Sequence, residues 1–105
     1  MRMLLRVSLP AEAGNAAVKA GTVGPTIEQI LADLKPEAVY FYLDDNSQRS
    51  CSVVFDMQDS SQLIEVAEPW LIAFNAKVSC RPVMSKEDFA KVGPQLAEAA
   101  RRHGK

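Results

Sequence analysis

The chain begins with a clear alternation of apolar and polar side chains. The alternating apolar positions of residues 3–9 are Met3, Leu5, Val7 and Leu9. Arg6 and Ser8 fall between them, and a period of two is typical of a β-strand that is buried on one face. Pro10 cannot continue a hydrogen-bond ladder, so the pattern predicts a first strand that ends there.

The next strongly periodic segment has the spacing of a helix. Its apolar positions are Ile27, Ile30, Leu31 and Leu34. Gly24 and Pro25 precede it, and proline is favoured in the first turn of a helix, while Pro36 marks its end. Residues 11–23 carry alanines at helical spacing but little apolar bulk, and we predict an irregular or short helical segment for them.

A β-hairpin follows the first helix. Residues 37–43 are rich in β-branched and aromatic side chains and predict a second strand. The polar run 44–47 predicts a turn, and residues 49–57 predict the returning third strand. The hairpin therefore pairs two strands that are adjacent in sequence.

The second half of the chain repeats the order of helix and strand. Residues 63–74 have helical spacing with Pro69 inside, which predicts a kink or a restart, and residues 76–83 predict a fourth strand. Ser85 and Asp88 resemble a capping box at the start of a C-terminal helix over about 86–103, which Gly93-Pro94 interrupts.

The element order β-α-β-β-α-β plus a terminal helix predicts an α+β, ferredoxin-like fold. Its antiparallel sheet has the strand order 4-1-3-2, and the 105 residues form one domain over 1–105. In that order Cys51 and Cys80 flank the first strand, roughly 10 Å apart, which is beyond the reach of a disulfide. We expect both to be free thiols.

The parity of the strands divides their side chains between two faces. The face predicted to lie under the helices holds Met3, Leu5, Val7, Val39, Phe41, Leu43, Cys51, Val53, Phe55 and Val78. The opposite face, which we call the outer face, mixes tyrosine, leucine, small hydroxyls and arginine. Tyr and Arg are enriched at interfaces, so we predict an interface on it, formed by Leu4, Arg6, Tyr40, Tyr42, Val54 and Arg81. The alternatives are an exposed sheet without a partner and a nucleic-acid-binding sheet.

Three stretches of sequence carry a resemblance to a known group. They are residues 6–15, residues 30–38 and Ala67-Glu68-Pro69-Trp70. With the element order, they make the chain resemble the dimeric α+β barrel superfamily, and within it a group of small bacterial proteins of unassigned function. A weaker similarity to muconolactone isomerases rests on residues 54–57 and 80–82. The resemblance implies a homodimer with a small pocket between sheet and helices, and it permits isomerase, oxygenase or haem-handling relatives.

The charge balance narrows the range of partners. Twelve Lys and Arg face thirteen Asp and Glu, for a net charge of -1, so no strongly basic surface for nucleic acid is expected. The basic residues at 101–103 are interpreted as cations that oppose the negative end of the last helix dipole. No apolar run is long enough for a membrane span, and we expect a cytoplasmic protein.

Candidate chemistry is sparse. His103 is the only histidine and lies near the end of the chain, so we expect no metal site, no haem and no cofactor. A cofactor-free proton transfer needs a carboxylate in an apolar setting, and Glu68 beside Pro69 is the catalytic candidate. Trp70, Tyr42 and Arg6 are candidate ligand contacts together with Glu68. The alternatives are a solvent-facing Glu68, a core position for Trp70, and pairing of Arg6 and Tyr42 across the dimer.

Two hypotheses of different class follow from these patterns. The first is a homodimeric barrel that binds a small organic molecule in a pocket between sheet and helices, as a cofactor-free isomerase or oxygenase would. The second is a non-catalytic dimeric module for interaction or sensing. The first predicts that Glu68 and Trp70 line a closed void together with polar groups. The second predicts that Glu68 faces solvent and that the core is filled.

Overall fold

The computed structural model describes all residues from Met1 to Lys105. The strands are β1 (Arg2–Ser8), β2 (Ala38–Leu43), β3 (Arg49–Asp56) and β4 (Lys77–Pro82). The helices are α1 (Ala11–Ala20), α2 (Val23–Leu34), α3 (Gln62–Phe74), α4 (Lys86–Ala90) and α5 (Gly93–His103). The predicted α+β, ferredoxin-like order is confirmed, with two helices in place of one at each of the first and last helical positions.

The sheet is antiparallel throughout and has the order β2-β3-β1-β4, which is the predicted order 4-1-3-2 counted from the other edge. Leu5 of β1 lies opposite Val53 of β3 and Cys80 of β4. Cys51 and Cys80 are thus on the strands that flank β1, and both are free thiols. Burial of Cys51 raises the pKa of its thiol to about 11.

The core lies between the sheet and the helices α1, α2 and α3. Its buried members are Met3, Leu5, Val7, Leu9, Cys51, Val53, Phe55, Met57, Trp70, Phe74 and Ala76. The alternating residues of β1 and β3 supply most of this cluster, as the period of two predicts. The rings of Trp70 and Phe74, one turn apart in α3, lie with centroids 6.4 Å apart. No residue of α4 or α5 belongs to the cluster or packs against it.

Of the two forms predicted for residues 11–23, irregular or short helical, the structure shows the helical one. Residues 11–20 form the ten-residue helix α1, which ends at Gly21 with a left-handed φ of 72°. The buried Gly14 lies beside the hairpin, where a Cβ would be 2.9 Å from Nη1 at the tip of the flexible Arg49 side chain. The alanines also have the highest helix propensity.

Of the kink or restart predicted at Pro69, the restart is absent. The helix α3 is continuous from Gln62 to Phe74 although Pro69 removes one backbone donor. Trp70 and Phe74 lie just beyond the proline and are buried in the core. Burial of two aromatic side chains stabilises this half of the helix by several kcal/mol, which offsets the roughly 3 kcal/mol cost of an internal proline.

Two residues assigned to the buried face are exposed. Phe41 and Leu43 have the predicted parity, yet 62% and 69% of their surfaces remain accessible. They lie on the edge strand β2, where Val23 and Ile27 of α2 line the same depression but leave both side chains exposed. Parity predicts the face of the sheet correctly here, but burial requires a covering element that this chain does not supply.

Candidate functional site

The outer face of the sheet brings the predicted interface residues into adjacent rows. Leu4 lies between Val54 and Arg81 across the strands, and Arg6 lies in the next row, opposite Ser52. Leu4, Val54 and Tyr42 are half-buried, whereas Arg6, Tyr40 and Arg81 are exposed. The apolar pair of Leu4 and Val54 therefore sits on the two central strands, with charged and aromatic side chains around it.

One end of the outer face forms a polar depression, which we call the sheet groove. It has a volume of about 390 Å³ and is lined by Arg6, Val7, Ser8, Tyr42, Asp44, Ser50, Lys77, Val78 and Ser79. The Ser8 hydroxyl contacts Asp44 Oδ2 at 2.7 Å and Gln48 Oε1 at 3.0 Å. The Tyr42 hydroxyl lies 2.8 Å from Ser52 Oγ. The groove is therefore lined by an ordered hydroxyl network.

The positive charges of the sheet groove have no acidic partner at contact distance. The ion pairs of the protein include neither Arg6 nor Lys77. The Tyr42 oxygen, and more weakly Asp45 and Asp44, raise the pKa of the Arg6 guanidinium, which remains charged. Arg6 and Tyr42, both predicted as ligand contacts, thus lie together, and this groove is the place where an anionic group would meet them.

Asp44 organises the turn beside the groove, and this gives a prediction about pH. Its carboxylate accepts the backbone N–H groups of Gln48 and Asn46 and the Ser8 hydroxyl, which lower the pKa of Asp44 below its ordinary value. A lowered pKa in the folded state contributes stability above about pH 4, and this contribution is lost as the pH falls through the folded-state pKa.

We therefore expect thermal melts of the Asp44→Asn variant to show a smaller loss of Tm between about pH 4 and pH 2 than those of the unmodified protein. Above pH 5 the variant should be the less stable of the two. Asp59 and Asp88 also have lowered pKa values but are unchanged in both proteins, so the difference isolates Asp44. Parallel acid profiles of the two proteins would contradict the assignment.

A second and larger depression, which we call the helix cleft, lies between the helices and the sheet. It has a volume of about 480 Å³ and is lined by Ile30, Asp33, Leu34, Phe55, Asp56, Gln62, Glu65, Val66 and Pro69. Its apolar residues come from α2, β3 and α3, and its polar residues include three carboxylates. A concave, partly apolar site of this size is typical of small-molecule binding.

The polar side chains of the helix cleft differ in whether they already have hydrogen-bond or ion-pair partners within the chain. Gln62 Oε1 accepts the backbone N–H groups of Gln58 and Asp59 at 2.7 and 3.2 Å, which fixes the start of α3. Asp56 pairs with the N-terminal amine at 2.8 Å. Asp33 receives only a 3.5 Å contact from Gln29, and Glu65 has no side-chain partner. Asp33 and Glu65 are therefore the carboxylates that remain available to a ligand.

The structure places Glu68 and Trp70 away from both depressions. Glu68 is half-buried on α3 and lines neither the helix cleft nor the sheet groove. Trp70 is 0% exposed and belongs to the core cluster, and its indole Nε1 has no hydrogen-bond partner. The catalytic role of Glu68 stays a prediction, while the adjacent Pro69 does line the helix cleft.

Sequence reasoning did not single out Asp33, Asp56 or Glu65. A usable signal was present, because Asp33 and Glu65 directly adjoin the apolar stripes of α2 and α3 at Leu34 and Val66. Only the packing of α2 beside α3 brings these separate positions to one cleft.

No group of three or more His, Cys, Asp or Glu side chains is arranged to hold a metal ion. None of the helices combines the length and the apolar character that crossing a membrane requires.

The fold has counterparts among solved structures. Over 84% of this chain and 99% of the other, it is similar to 5-chloro-2-hydroxyhydroquinone dehydrochlorinase (TftG) from Burkholderia phenoliruptrix AC1100 in complex with 2,5-dihydroxybenzoquinone, with a TM-score of 0.57 and 15% identity. A formyltetrahydrofolate deformylase from Pseudomonas putida aligns with 98% of this chain and 39% of its own, with a TM-score of 0.49 and 14% identity. At such identities the likeness to the dehydrochlorinase shows the fold alone.

Sequence comparison gives the family. No protein with a curated description is significantly similar to the chain. Residues 2–97 match a family described as a domain of unknown function, DUF3303, and this match covers all four strands, the helices α1 to α4 and the start of α5. The chain therefore belongs to the DUF3303 family.

Proposed function

We propose that this protein is a homodimer that binds a small organic molecule in the helix cleft. The observation that carries the binding proposal is the cleft itself, with a volume of about 480 Å³ and with Asp33 and Glu65 free at its polar side. A pocket between sheet and helices is also what the resemblance to dimeric α+β barrels implies. The dimer proposal rests on the outer face described above.

The chemistry of the cleft defines the class of ligand. Its lining offers apolar contact from Ile30, Phe55 and Val66, and its carboxylates accept hydrogen bonds but donate none when ionised. A suitable ligand has a compact apolar body with hydroxyl or ammonium groups, since a carboxylate ligand would face like charges. The dehydrochlorinase of similar fold holds 2,5-dihydroxybenzoquinone, a compact ring whose hydroxyl groups are acidic, so this ligand supports the size of the proposed ligand but not its polar groups.

Binding, and no reaction, is the function assigned to the helix cleft. Of the cleft carboxylates only Asp56 meets a basic group, the N-terminal amine at 2.8 Å. Asp33 and Glu65 contact no base or nucleophile, and Glu68 lies outside the cleft. Isomerase or oxygenase activity, and a catalytic role for Glu68, remain predictions of the sequence.

Three ring compounds of similar size test the ligand class. We expect catechol and benzylamine to bind to the protein in ligand-observed NMR, and benzoate to bind at least about fivefold more weakly, because only benzoate brings a like charge to the carboxylates. The Glu65→Gln variant should weaken benzylamine binding, whereas Glu12→Gln on the exposed side of α1 should not. Equal binding of all three compounds would contradict the acidic cleft.

A second test of the binding proposal fills the helix cleft with a larger side chain. The Val66→Trp variant should abolish binding of catechol and benzylamine, because the larger side chain occupies the apolar part of the cleft. Circular dichroism shows whether the variant is folded, and Glu65→Gln gives an independent result if it is not. Undiminished binding to folded Val66→Trp would remove the helix cleft from the proposal and leave the non-catalytic module as the better description.

A further inference from the structure

The C-terminal segment projects from the rest of the molecule. The radius of gyration is 17.4 Å and the longest extent is 58 Å, whereas a compact chain of this length has a radius of gyration of about 13 Å. The helices α4 and α5 contribute nothing to the core. We call residues 84–103 the arm.

The arm carries apolar side chains that nothing in its own chain covers. Met84, Phe89 and Leu96 are 61%, 60% and 58% exposed. Val92, Leu96 and Ala100 recur at the spacing of one helix stripe. An isolated helix shorter than about 12 residues is marginal in water, and α5 has 11, so packing against another surface would stabilise it.

The same chain has an uncovered apolar surface of matching character. It is a depression of about 240 Å³ at the edge of the sheet, which we call the edge groove, and it is lined by Leu9, Val23, Ile27, Phe41, Tyr42, Leu43, Arg49, Ser50 and Cys51. Phe41 and Leu43 are the two strand residues whose predicted burial the chain does not provide. The edge groove and the arm therefore both expose apolar side chains, which would be buried if the two surfaces packed together.

The arm cannot reach the edge groove of its own chain in this structure. It leaves the sheet after Pro82 on the β4 edge, in the row of Met3, whereas Leu43 lies on the β2 edge at the opposite end of the sheet. The diagonal between these corners is about 25 Å, and the arm extends away from the body. Arg2, on the outer face, contacts Asp88 of α4 at 3.9 Å, so the arm starts on the side where the proposed partner lies.

Charge favours a second copy as the occupant. The arm ends in Arg101, Arg102 and His103, followed by Lys105, and the edge groove ends at the turn that contains Asp44 and Asp45. Asp45 has no hydrogen bond or ion pair within the chain. If Leu96 of one copy lies over Leu43 of the other, the basic end of α5 lies about 9 Å further along the helix axis. It is then within reach of the acidic turn, which lies two residues beyond Leu43.

The area that a stable dimer needs also favours the arm. Four strands of about seven residues present roughly 400 Å² of outer face, while a specific interface buries about 800 Å² per partner. One side of α5 offers roughly 160 Å², and in a two-fold dimer each copy gives an arm and receives one. If each copy docks its arm on the other, the two arms therefore supply most of the interface area that the outer face lacks.

We propose that the arm of each protomer docks in the edge groove of a second copy of this chain. Phe89 and Leu96 supply the apolar contacts, and the basic end of α5 meets the Asp44-Asp45 turn. The arm exchange rests on the proposed homodimer but not on the ligand proposed for the helix cleft.

Cysteine pairs test the arrangement in the full-length protein. Oxidation of the Leu43→Cys/Leu96→Cys variant should yield a disulfide-linked species of twice the chain mass on a non-reducing gel. The Leu43→Cys/Glu98→Cys variant is the matched control, because Glu98 lies on the other side of α5, and it should stay uncrosslinked. Both variants also carry Cys51→Ser and Cys80→Ser, because Cys51 lines the edge groove and could compete for the new thiol. A disulfide that forms within one chain, or no disulfide at all, would contradict the proposed exchange of arms between protomers.

A charge on the arm gives an independent readout. The Leu96→Glu variant should raise the dimer dissociation constant at least tenfold in sedimentation experiments, and the Gln95→Glu variant, which adds the same charge beside the stripe, should change it little. If Leu96→Glu leaves a stable dimer unaffected, the sheet faces alone hold the dimer and the arm exchange is wrong. If the unmodified protein is a monomer at all concentrations, the homodimer of the proposed function fails as well.

Discussion

Replacing Val54 with glutamate is expected to separate the proposed homodimer into monomers at concentrations where the unmodified protein is paired. Val54 lies on the central strand β3, beside Leu4 on the outer face, and both are only half-buried within one chain. In a two-fold interface the substitution places one carboxylate from each copy in the contact. An unpaired buried charge costs about 3 kcal/mol or more, which raises the dimer dissociation constant at least about a hundredfold.

The choice of Val54 keeps the test specific. Its partners across the strands are Leu4 and Ala38, so the new carboxylate has no cation directly opposite it. The Val54→Thr variant keeps the shape and the β-branch without a charge and should remain a dimer. Sedimentation velocity over a wide concentration range measures both variants, and thermal melts check that each is folded. A Val54→Glu variant that is folded and still dimeric would show that the outer face is not the interface.

Truncation of Trp70 to alanine should produce the largest loss of stability of any single substitution in the core. Trp70 is 0% exposed and is the largest fully buried side chain. Removal of a buried tryptophan costs about 3–5 kcal/mol through lost burial and the cavity that remains. For a domain of this size each kcal/mol lowers Tm by about 4–8 °C, so we expect Tm to fall by at least about 12 °C or the protein to be unfolded.

The Trp70→Phe variant distinguishes the packing of the ring from the role of its N–H group. The indole Nε1 of Trp70 is buried without a hydrogen-bond partner. Phenylalanine removes this unsatisfied donor, whose burial costs about 1–3 kcal/mol, and this gain offsets much of the lost volume. Urea denaturation should therefore show a loss of less than about 2 kcal/mol for Trp70→Phe. A loss as large as that of Trp70→Ala would mean that the N–H group makes a stabilising contact.

The strands were predictable from sequence because their signal is local. The alternation in residues 3–9, the apolar run of residues 38–43 and the returning strand of residues 49–56 each specify extended structure within a few residues. The order of the elements then selects the ferredoxin-like topology, since few connections are compatible with it. The capping box of Ser85 and Asp88, which the structure confirms, is a signal of the same local kind.

The errors have a common physical origin in packing between distant parts of the chain. The sequence left an irregular segment and a short helix open for residues 11–23, because alanines carry too little apolar bulk to mark the buried face of α1. The continuity of α3 through Pro69 depends on the burial of Trp70 and Phe74, which no local rule contains. Phe41 has the parity of a core residue but is exposed, because it lies on the edge strand β2, where α2 leaves it uncovered.

The candidate sites also combine features that the sequence predicts with features that depend on packing between distant segments. Arg6 and Tyr42 could be placed on one face by parity alone, and the sheet groove does bring them together. Glu68 was selected because its neighbours in sequence are apolar, yet the carboxylates of the helix cleft are Asp33, Asp56 and Glu65. These three come from α2, β3 and α3, and their proximity results from the way the helices cross the sheet.

By itself, the sequence determined the fold class, the order of strands and the assignment of side chains to the two faces of the sheet. These properties follow from the period of side chains along each strand and from short-range turn and capping chemistry. Only the tertiary structure decided which carboxylates share a cleft, which apolar residues remain uncovered and where the arm projects. Those properties depend on which surfaces meet across long sequence separations, and the period of a single element contains no information about the surface that will cover it.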